Sequence, residues 1–356
     1  MAGSKKAVVI GGAGFVGRRL ITLLSGADGV HPGWPRFDHL HVADVTPFVE
    51  RAEAKAARER AGVTLTSSLV DVTRREDVEA AVEGAHTVFH LASIVDVDLT
   101  PNPRITAVNV EGTKHVVRAC QAKGVPFLVY TSTEDVVLSE RPVSFGDESL
   151  PYPSRPLCDY VGTKVEAERF VRENDGKDGL RTVVIRPVHV YGPEDPHAIV
   201  QSLAELKKGL PFVLGDGKAR FDIVYVDNVA HGHLLAAKRL EDPASRDRVG
   251  GQAYFIGEDN APNYFEFIRP YAEAHGIRLP RLKLPFGPLS VVARGMELAH
   301  RALGLRVPFH RFHLYILAQD FFFSHEKAAR ELGYAPLVPP DEALRRTLAW
   351  VETLRL

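Results

Sequence analysis

The feature that most constrains the fold of this chain is a series of short, uninterrupted apolar runs that alternate with segments of helical periodicity. A strand without polar alternation is buried on both faces, as in a parallel sheet that is covered by helices. The pattern therefore predicts an α/β fold with a doubly wound, parallel Rossmann-type sheet, whose ligands bind at the carboxyl ends of the strands. The predicted strands are 7–10, 40–43, 87–91, 127–131 and 182–185, and the predicted helices are 16–24, 77–82, 113–123 and 162–174.

The composition excludes several classes of protein. A formal net charge of −1 over 356 residues leaves no polybasic field, so we expect no nucleic-acid partner. Two cysteines, Cys120 and Cys158, cannot build a disulfide framework, which favours a reducing compartment. The sequence has no uninterrupted apolar stretch of the ~18 residues that a membrane-spanning helix needs, and its start lacks the apolar segment of a signal peptide. We therefore expect a cytoplasmic protein.

A glycine-rich segment at 11–17 follows the first predicted strand and opens the first predicted helix. Glycines in such a turn let backbone N–H groups approach a pyrophosphate, whose charge is favoured by the helix N-terminus. The alternative is an ordinary strand-to-helix turn, but the strand and the helix are both in place. We therefore predict a dinucleotide site, and its residues in this segment are Gly11, Gly14, Phe15, Val16 and Gly17.

Asp44 ends the second predicted strand, where an acidic residue would bind the adenosine ribose. Its spacing from Gly11 exceeds the ~20 residues of the usual fingerprint, but a turn-rich insert at 29–38 accounts for the surplus. A carboxylate there would repel a 2′-phosphate, which favours NAD over NADP. A solvated aspartate at a strand end is the alternative. Asp71, with Val72 beside it, is a second candidate, for contact with the adenine edge.

Tyr160 and Lys164 lie one turn apart at the start of a predicted helix, so their side chains share a face. The ordinary pKa of a phenol is about 10. A nearby ammonium and a positive nicotinamide ring would lower the pKa of Tyr160 and let it exchange a proton with a secondary alcohol or ketone. Hydroxyls at Thr131, Ser132 and Thr133 end the preceding strand, and one of them would orient the substrate oxygen. The alternative is a polar strand end that caps a turn.

Five short motifs follow one another along the chain. They are Gly11-Gly12-Ala13-Gly14-Phe15-Val16-Gly17, His90-Leu91-Ala92-Ser93, Asn109-Val110-Glu111-Gly112-Thr113, Tyr160 with Lys164, and Arg186-Pro187-Val188. In these motifs and their order the chain resembles the extended short-chain dehydrogenase/reductases over nearly its full length. Segments 225–237 and 323–334 are similar to the 3β-hydroxysteroid dehydrogenase branch, which includes sterol-4α-carboxylate 3-dehydrogenases and bacterial 2-alkyl-3-oxoalkanoate reductases.

The resemblance implies roles for individual residues. Tyr160 is the implied general acid and base, and Lys164 is its partner and ribose anchor. Thr133 matches the catalytic hydroxyl, which is usually serine in this branch, so Ser132 stays a rival. The residues implied to line the cofactor or to support its site are His90, Leu91, Ala92, Ser93, Asn109, Lys164, Pro187 and Val188.

The second half of the sequence is predicted to form a smaller lobe. We expect a dinucleotide-binding domain at 1–187, to which a strand and helix near 221–240 return, and a mainly substrate-binding lobe at 188–356. The steroid resemblance implies that aromatic residues of this lobe wall an apolar pocket. The helix-like segment 289–303 has an apolar face. We expect this face to pack on the core and not on a membrane surface, because most surface helices of globular proteins are amphipathic for that reason. The aromatic residues are Phe286, Phe309, Phe312, Tyr315, Phe321 and Phe322, and the charged residues opposite the apolar face of 289–303 are Arg294, Glu297 and Arg301.

The main functional prediction is NAD-dependent oxidation of the 3β-hydroxyl of a steroid or sterol-like substrate, followed by loss of CO₂ where a neighbouring carboxylate is present. The alternatives are a 2-alkyl-3-oxoalkanoate reductase, a nucleotide-sugar epimerase or dehydratase, and a non-catalytic NAD sensor. Lys218 and Arg220 are the candidate cations for a nucleotide-sugar diphosphate. No metal is expected, because His231 and His233 lie two positions apart on a predicted helix and point away from each other. The sequence does not determine the oligomeric state, and a homodimer is one of the alternatives.

Overall fold

A seven-stranded parallel sheet forms the centre of the structure, which is a computed structural model that describes residues 4–26, 29, 31–196, 198–208, 212–305, 307 and 309–355. The strand order is β11-β7-β5-β4-β1-β2-β3, and every neighbouring pair is parallel. These strands are β1 (Lys6–Ile10), β2 (His39–Asp44), β3 (Thr64–Leu69), β4 (Thr87–His90), β5 (Phe127–Thr131), β7 (Arg181–Pro187) and β11 (Ala253–Ile256). The predicted doubly wound α/β fold is confirmed.

Helices cover both faces of the sheet, because successive residues of each strand point to opposite sides. Val9 of β1 packs in the apolar cluster that includes Leu20 and Leu234, whereas Val8 packs in the cluster that includes Val116 and Val171. The α-helices are α1 (Phe15–Leu24), α2 (Ala52–Arg60), α3 (Arg75–Val82), α4 (Pro103–Ile105), α5 (Thr113–Ala122), α6 (Asp159–Glu173), α7 (Ala198–Lys207), α8 (Val226–Glu241), α9 (Arg246–Val249), α10 (Tyr264–Ala274), α11 (Phe286–Leu303), α12 (Arg311–Ala318), α13 (Glu326–Leu332) and α14 (Pro340–Val351).

Three short helical segments have a different hydrogen-bond pattern. A π-helical segment, Thr106–Gly112, joins α4 to α5, and such segments are frequent at functional sites. Two 3₁₀ segments, Glu134–Val137 and Lys177–Gly179, follow β5 and α6. The first of them directly follows the strand end at which the sequence placed the substrate-orienting hydroxyl.

The second half of the chain contributes to both lobes. The helix α8 packs against α1, β5 and β7, so it belongs to the layers around the central sheet. The strand near 221 does not join the central sheet, because β10 (Ile223–Tyr225) pairs with β8 (His189–Tyr191) in a separate parallel pair. Two further parallel pairs join β9 (Phe212–Leu214) to β12 (Leu282–Leu284), and β6 (Val143–Gly146) to β13 (Phe321–Phe323). Among the described residues, no helix is long and apolar enough to cross a membrane.

The helix α11 differs in one respect from its prediction. Glu297 does not lie opposite the apolar face, because its side chain is buried and pairs with Arg311. Leu289 and Ala293 are buried beside it, so part of the helix packs as predicted. The outer face nevertheless exposes several apolar side chains, which are Val291, Val292, Leu298 and Leu303.

Candidate active site

The glycine turn after β1 leaves room that a side chain would fill. Gly11 has a φ of +85°, and a Cβ on it would lie 2.5 Å from the backbone nitrogen of Ala92. A Cβ on Gly17 would lie 2.3 Å from the carbonyl oxygen of Gly11, because α1 begins directly against the turn. Gly14 is the N-cap of α1 and offers no side-chain cap to its first N–H groups. The turn therefore fits the close approach of a pyrophosphate.

The other predicted residues of this turn lie beside it. Phe15 and Val16 begin α1 and are half-buried. Leu91 and Ala92 both donate their backbone N–H groups to the carbonyl oxygen of Ile10, at 2.8 and 3.1 Å. The segment that follows β4 thus runs alongside the start of the glycine turn.

Asp44 lies at the edge of the same turn. Its carboxylate accepts hydrogen bonds from the backbone N–H groups of Ala13 and Thr46, both at 2.9 Å. The contact with Ala13 fixes the carboxylate against the loop that would hold a pyrophosphate. This is the position at which a carboxylate would meet a ribose of a bound dinucleotide.

Two further pairs of predicted positions lie at strand ends. The Oδ1 atom of Asp71 accepts hydrogen bonds from the N–H and hydroxyl groups of Thr73, and these bonds lower the pKa of Asp71. Val72 is buried next to it. Pro187 ends β7, and Val188 follows it as a buried residue.

Asn109 holds the loop after β4 in place from the π-helical segment. Its side chain accepts from the N–H group of Ile94 at 2.8 Å and donates to the carbonyl oxygen of Ile94 at 3.0 Å. It also accepts from the Ser93 hydroxyl at 3.2 Å and donates to the Thr163 hydroxyl of α6 at 3.3 Å. One amide therefore ties this loop to the helix that carries Tyr160.

Tyr160 and Lys164 both lie in the first turns of α6, and both are buried. The Lys164 ammonium donates to the carbonyl oxygen of Thr131 at 2.7 Å and lies 4.6 Å from the centre of the Tyr130 ring. These contacts place the lysine amine against the end of β5. The helix starts at Asp159, three residues earlier than predicted, so the tyrosine and the lysine are part of one regular helix.

The two rival hydroxyls after β5 have different surroundings. The Ser132 hydroxyl donates to the buried Glu168 carboxylate at 2.5 Å. The Thr133 side chain instead lies close enough to Tyr160 to act on the pKa of its phenol, and the Thr133 backbone is extended. Neighbouring residues of an extended segment point to opposite sides, so the two side chains separate. The geometry therefore favours Thr133 as the partner of Tyr160.

Two acidic residues missed by the sequence reasoning lie next to this pair. Glu134 and Asp135 form the start of a 3₁₀ turn, and both are buried. The Thr133 hydroxyl lies 3.2 Å from one carboxyl oxygen of each. Buried carboxyl groups are rare, but only the folded structure shows that these two are buried.

In the chain by itself the pKa of Tyr160 is raised well above its ordinary value, whereas the predicted lowering includes the charge of a nicotinamide ring. Burial is the main cause, followed by the negative charges of Asp135 and Glu134. The Thr133 side chain acts in the other direction. The chain by itself therefore keeps the phenol protonated at neutral pH, ready to donate a proton to a ketone oxygen.

Burial lowers the pKa of Lys164 to about 7, although the nearby Glu168 opposes the shift. Burial, and then the charge of Lys164, lower the pKa of His90 to about 3. The His90 ring is fully buried, and its Nε2 lies 3.0 Å from the Thr113 hydroxyl. This histidine therefore lies inside the fold and does not line an open cofactor groove as predicted.

Several aromatic residues of the second half of the chain belong to the same extended apolar cluster as Tyr160. Tyr160 belongs to the same apolar cluster as Phe312 and Tyr315 of α12, with Phe286 packed against it. Phe321 of β13 belongs to this cluster too. The two remaining predicted aromatic residues lie elsewhere. Phe309 packs against a smaller apolar cluster, and Phe322 is buried under the guanidinium of Arg220.

The two histidines of α8 have separate structural partners. The Nδ1 atom of His231 accepts from the indole N–H of Trp34 at 2.8 Å. The ring of His233 bonds the Thr131 hydroxyl at 2.7 Å and the carbonyl oxygen of Val229 at 2.8 Å. Within the described part of the chain, no group of three or more histidine, cysteine or acidic side chains has the arrangement of a metal site.

A family model described as the "3-beta hydroxysteroid dehydrogenase/isomerase family" matches residues 8–286 of this chain. The chain belongs to this family. The resemblance that the motifs indicated is thereby confirmed. The matched region contains the glycine turn, Asp44, Thr133, Tyr160 and Lys164.

Curated relatives cover nearly the whole chain. The "3 beta-hydroxysteroid dehydrogenase/Delta 5-->4-isomerase" of Mycobacterium tuberculosis is 35% identical, over 98% of this chain and 91% of the relative. The "3-beta-hydroxysteroid dehydrogenase" of Mycolicibacterium neoaurum is 34% identical, over 98% and 92%. The mouse "Sterol-4-alpha-carboxylate 3-dehydrogenase, decarboxylating" is 29% identical, over 99% and 92%.

Solved structures show the same fold. The crystal structure of gox2253 is 25% identical and has a TM-score of 0.72, with 97% of each chain covered. DesIV, a dTDP-glucose 4,6-dehydratase from Streptomyces venezuelae solved with NAD and TYD bound, is 23% identical and also has a TM-score of 0.72, with 97% of this chain and 96% of DesIV covered. The likeness to DesIV is evidence of the fold alone.

The different surroundings of Ser132 and Thr133 lead to a prediction. Thr133→Ala should lower kcat by about 100-fold, as expected for removal of a group that holds a reacting oxygen, whereas Thr133→Ser should keep most of the activity. Ser132→Ala should instead lower the free energy of unfolding by about 1 kcal/mol, because Glu168 loses one hydrogen bond. Steady-state kinetics and urea unfolding of the three variants measure both effects. A kcat that falls for Ser132→Ala but not for Thr133→Ala would reverse the assignment.

Proposed function

We propose that this chain is an NAD-dependent oxidoreductase that interconverts a secondary alcohol and a ketone, with the 3β-hydroxyl of a steroid or sterol-like molecule as its substrate. One observation carries the proposal. A buried phenol, Tyr160, lies close enough to the Thr133 side chain for that side chain to act on its pKa, one helical turn before the buried Lys164. The family and the named relatives support the same reaction class.

The residues around Tyr160 account for the proton transfer. A nicotinamide dinucleotide bound on the glycine turn would supply the hydride acceptor, and its positive ring would stabilise a phenolate. Thr133 would hold the substrate oxygen by its hydroxyl, while Tyr160 takes the hydroxyl proton during oxidation and returns it during reduction. Lys164 adds positive charge at the end of β5, where its ammonium is fixed by the Thr131 carbonyl.

The choice of NAD over NADP is supported by Asp44. Its carboxylate is fixed at the edge of the glycine turn by the N–H group of Ala13. An anion at this position accepts hydrogen bonds from ribose hydroxyls and repels a 2′-phosphate. The ratio of kcat/KM for NAD to that for NADP measures this preference.

The nucleotide-sugar alternative is less well supported. Its diphosphate would need cations of the second lobe, but the Arg220 guanidinium lies 4.4 Å from the centre of the Phe322 ring and donates to the carbonyl oxygen of Ala261. The sensor alternative leaves the buried Thr133–Tyr160 contact without a role. Neither alternative explains why aromatic side chains of α12 share a cluster with the phenol.

The experiment is a substrate panel followed by NADH absorbance. We expect reduction of NAD with 3β-hydroxysteroids, and no reduction with UDP-sugars or dTDP-sugars. NADP should be used at least tenfold less efficiently than NAD. Turnover of a nucleotide sugar, or of no secondary alcohol at all, would overturn the proposed function.

A further inference from the structure

The two carboxyl groups after Thr133 are built into the reacting end of the site. Glu134 and Asp135 are each only 9% exposed, and one oxygen of each lies 3.2 Å from the Thr133 hydroxyl. The Oδ1 atom of Asp135 is buried and has no hydrogen-bond partner within the described residues. The proposed reaction makes no use of either carboxyl group, and their burial needs a reason.

The surroundings of this carboxyl pair are acidic. Asp222, whose own pKa is raised by burial to about 7, adds partial negative charge that acts on Glu134, and Asp135 acts on the Tyr160 phenol. Among the described residues, the two buried cations near β5 are bound to other groups and do not pair with Glu134 or Asp135. The Lys164 ammonium binds the Thr131 carbonyl, and the Arg186 guanidinium pairs with Glu168 at 2.6 Å. A negative potential therefore extends to the atom that would hold the substrate oxygen.

One negative charge remains on the pair at neutral pH. Burial raises the pKa of Asp135 to about 6, while burial and the neighbouring Asp135 raise the pKa of Glu134 well above its ordinary value. Two carboxyl groups this close share a single proton, since both cannot ionise together. The pair therefore presents one proton and one charge to a ligand.

We propose that Glu134 and Asp135 make the site selective for neutral alcohols and ketones, and that they exclude substrates with a carboxylate on the carbon next to the reacting one. The proposal rests on the proposed function, because Thr133 is taken to hold the reacting oxygen. A carboxylate on the neighbouring carbon would lie about 3 Å from that oxygen, as carbon–carbon bond lengths require. It would then lie within a few ångströms of the charge on the carboxyl pair.

The size of the effect follows from the electrostatics of a partly buried site. Two like charges about 4 Å apart repel strongly enough there to change kcat/KM by about 100-fold or more. With a preference for uncharged substrates, this chain would differ in substrate from the mouse relative, whose name specifies a sterol-4-alpha-carboxylate. It would also exclude short-chain 3-oxo acids with a free carboxylate. The selected substrate class is therefore a sterol-like alcohol or ketone whose neighbouring carbon carries no charge.

The test compares two matched substrates, a 3β-hydroxysteroid and the same steroid with a 4α-carboxylate. The wild-type chain should prefer the neutral steroid by about 100-fold in kcat/KM. The ratio of kcat/KM for the neutral steroid to that for the carboxylated steroid should fall by at least tenfold in three variants, mainly because the carboxylated steroid becomes a better substrate. These variants are Asp135→Asn, Glu134→Gln and the double variant. The amides keep the size and the hydrogen bonds of the acids. Glu331→Gln is the matched control, because its carboxylate binds the Tyr254 hydroxyl on the far side of β11, and its ratio should stay at the wild-type value.

The possible outcomes distinguish a failure of the charge selectivity from a failure of the proposed function. Equal or better use of the carboxylated steroid by the wild-type chain overturns the charge selectivity, and so does a ratio that the double variant leaves unchanged. The wild-type comparison stands by itself if a variant fails to fold. If neither steroid is oxidised, the proposed function fails. In that case, the dissociation constants of the two steroids in the presence of NAD measure the selectivity. Equal dissociation constants would overturn it.

Discussion

Replacing Tyr160 by phenylalanine is expected to lower kcat by about 10²–10⁴-fold, because the variant keeps the ring but loses the group that transfers the proton. The dissociation constant for NAD should change little, since binding is expected to depend mainly on the glycine turn and Asp44. Steady-state kinetics with a 3β-hydroxysteroid measure kcat, and isothermal titration with NAD measures binding.

A second buried tyrosine provides the control for this variant. Tyr271 of α10 packs in a different apolar cluster and hydrogen-bonds Thr347. Tyr271→Phe should therefore cost some stability but keep kcat within about twofold, as expected for a change away from the site. Activity that survives in Tyr160→Phe would remove the basis of the proposed mechanism.

Replacing Glu168 by glutamine is expected to lower the free energy of unfolding by about 3–5 kcal/mol. The Glu168 carboxylate is fully buried and accepts hydrogen bonds from Arg186, the Ser132 hydroxyl and the Tyr152 hydroxyl. Burial alone would raise the pKa of this carboxyl, but Arg186 and the hydroxyl donors lower it below its ordinary value. The variant leaves the buried guanidinium of Arg186 without its counter-charge, which is the costly part of the change.

Urea unfolding measures this loss, and Glu166→Gln on the same helix is the matched control. Glu166 is exposed and pairs with Lys114 on the surface, so its loss should cost under about 1 kcal/mol. Adding Arg186→Met to Glu168→Leu should recover part of the stability, because neither charge then stays buried alone. Similar losses for Glu168→Gln and Glu166→Gln would show that the buried pair contributes no more than a surface pair.

Five of the seven strands of the sheet could be predicted because their residues are apolar and buried on both faces. The strand β3 was missed, since its sequence, Thr-Leu-Thr-Ser-Ser-Leu, is mostly polar. It lies at the edge of the sheet, where one side of the strand has no partner and most of its side chains are exposed. The strand β11 is not among the predicted strands, because its pairing with β7 is a long-range contact that no local pattern indicates.

The candidate site was predictable where a local pattern determines the geometry. The glycine turn after β1 and the one-turn spacing of Tyr160 and Lys164 are of this kind. The burial of Glu134 and Asp135 is not local, because the 3₁₀ segment that carries them packs against α6, which lies later in the chain. The predicted lowering of the Tyr160 pKa depends on a bound nicotinamide ring, whereas in the chain by itself burial, and then the charges of Asp135 and Glu134, raise this pKa.

The amide of Asn109 has a consequence for how a bulky, rigid ligand enters. The Asn109 side chain makes three hydrogen bonds with the Ser93–Ile94 segment and one with Thr163 of α6, so a shift of either part breaks at least one of them. The floor of the site is therefore preorganised before any ligand arrives. A bulky, rigid ligand therefore meets a loop whose position is already set.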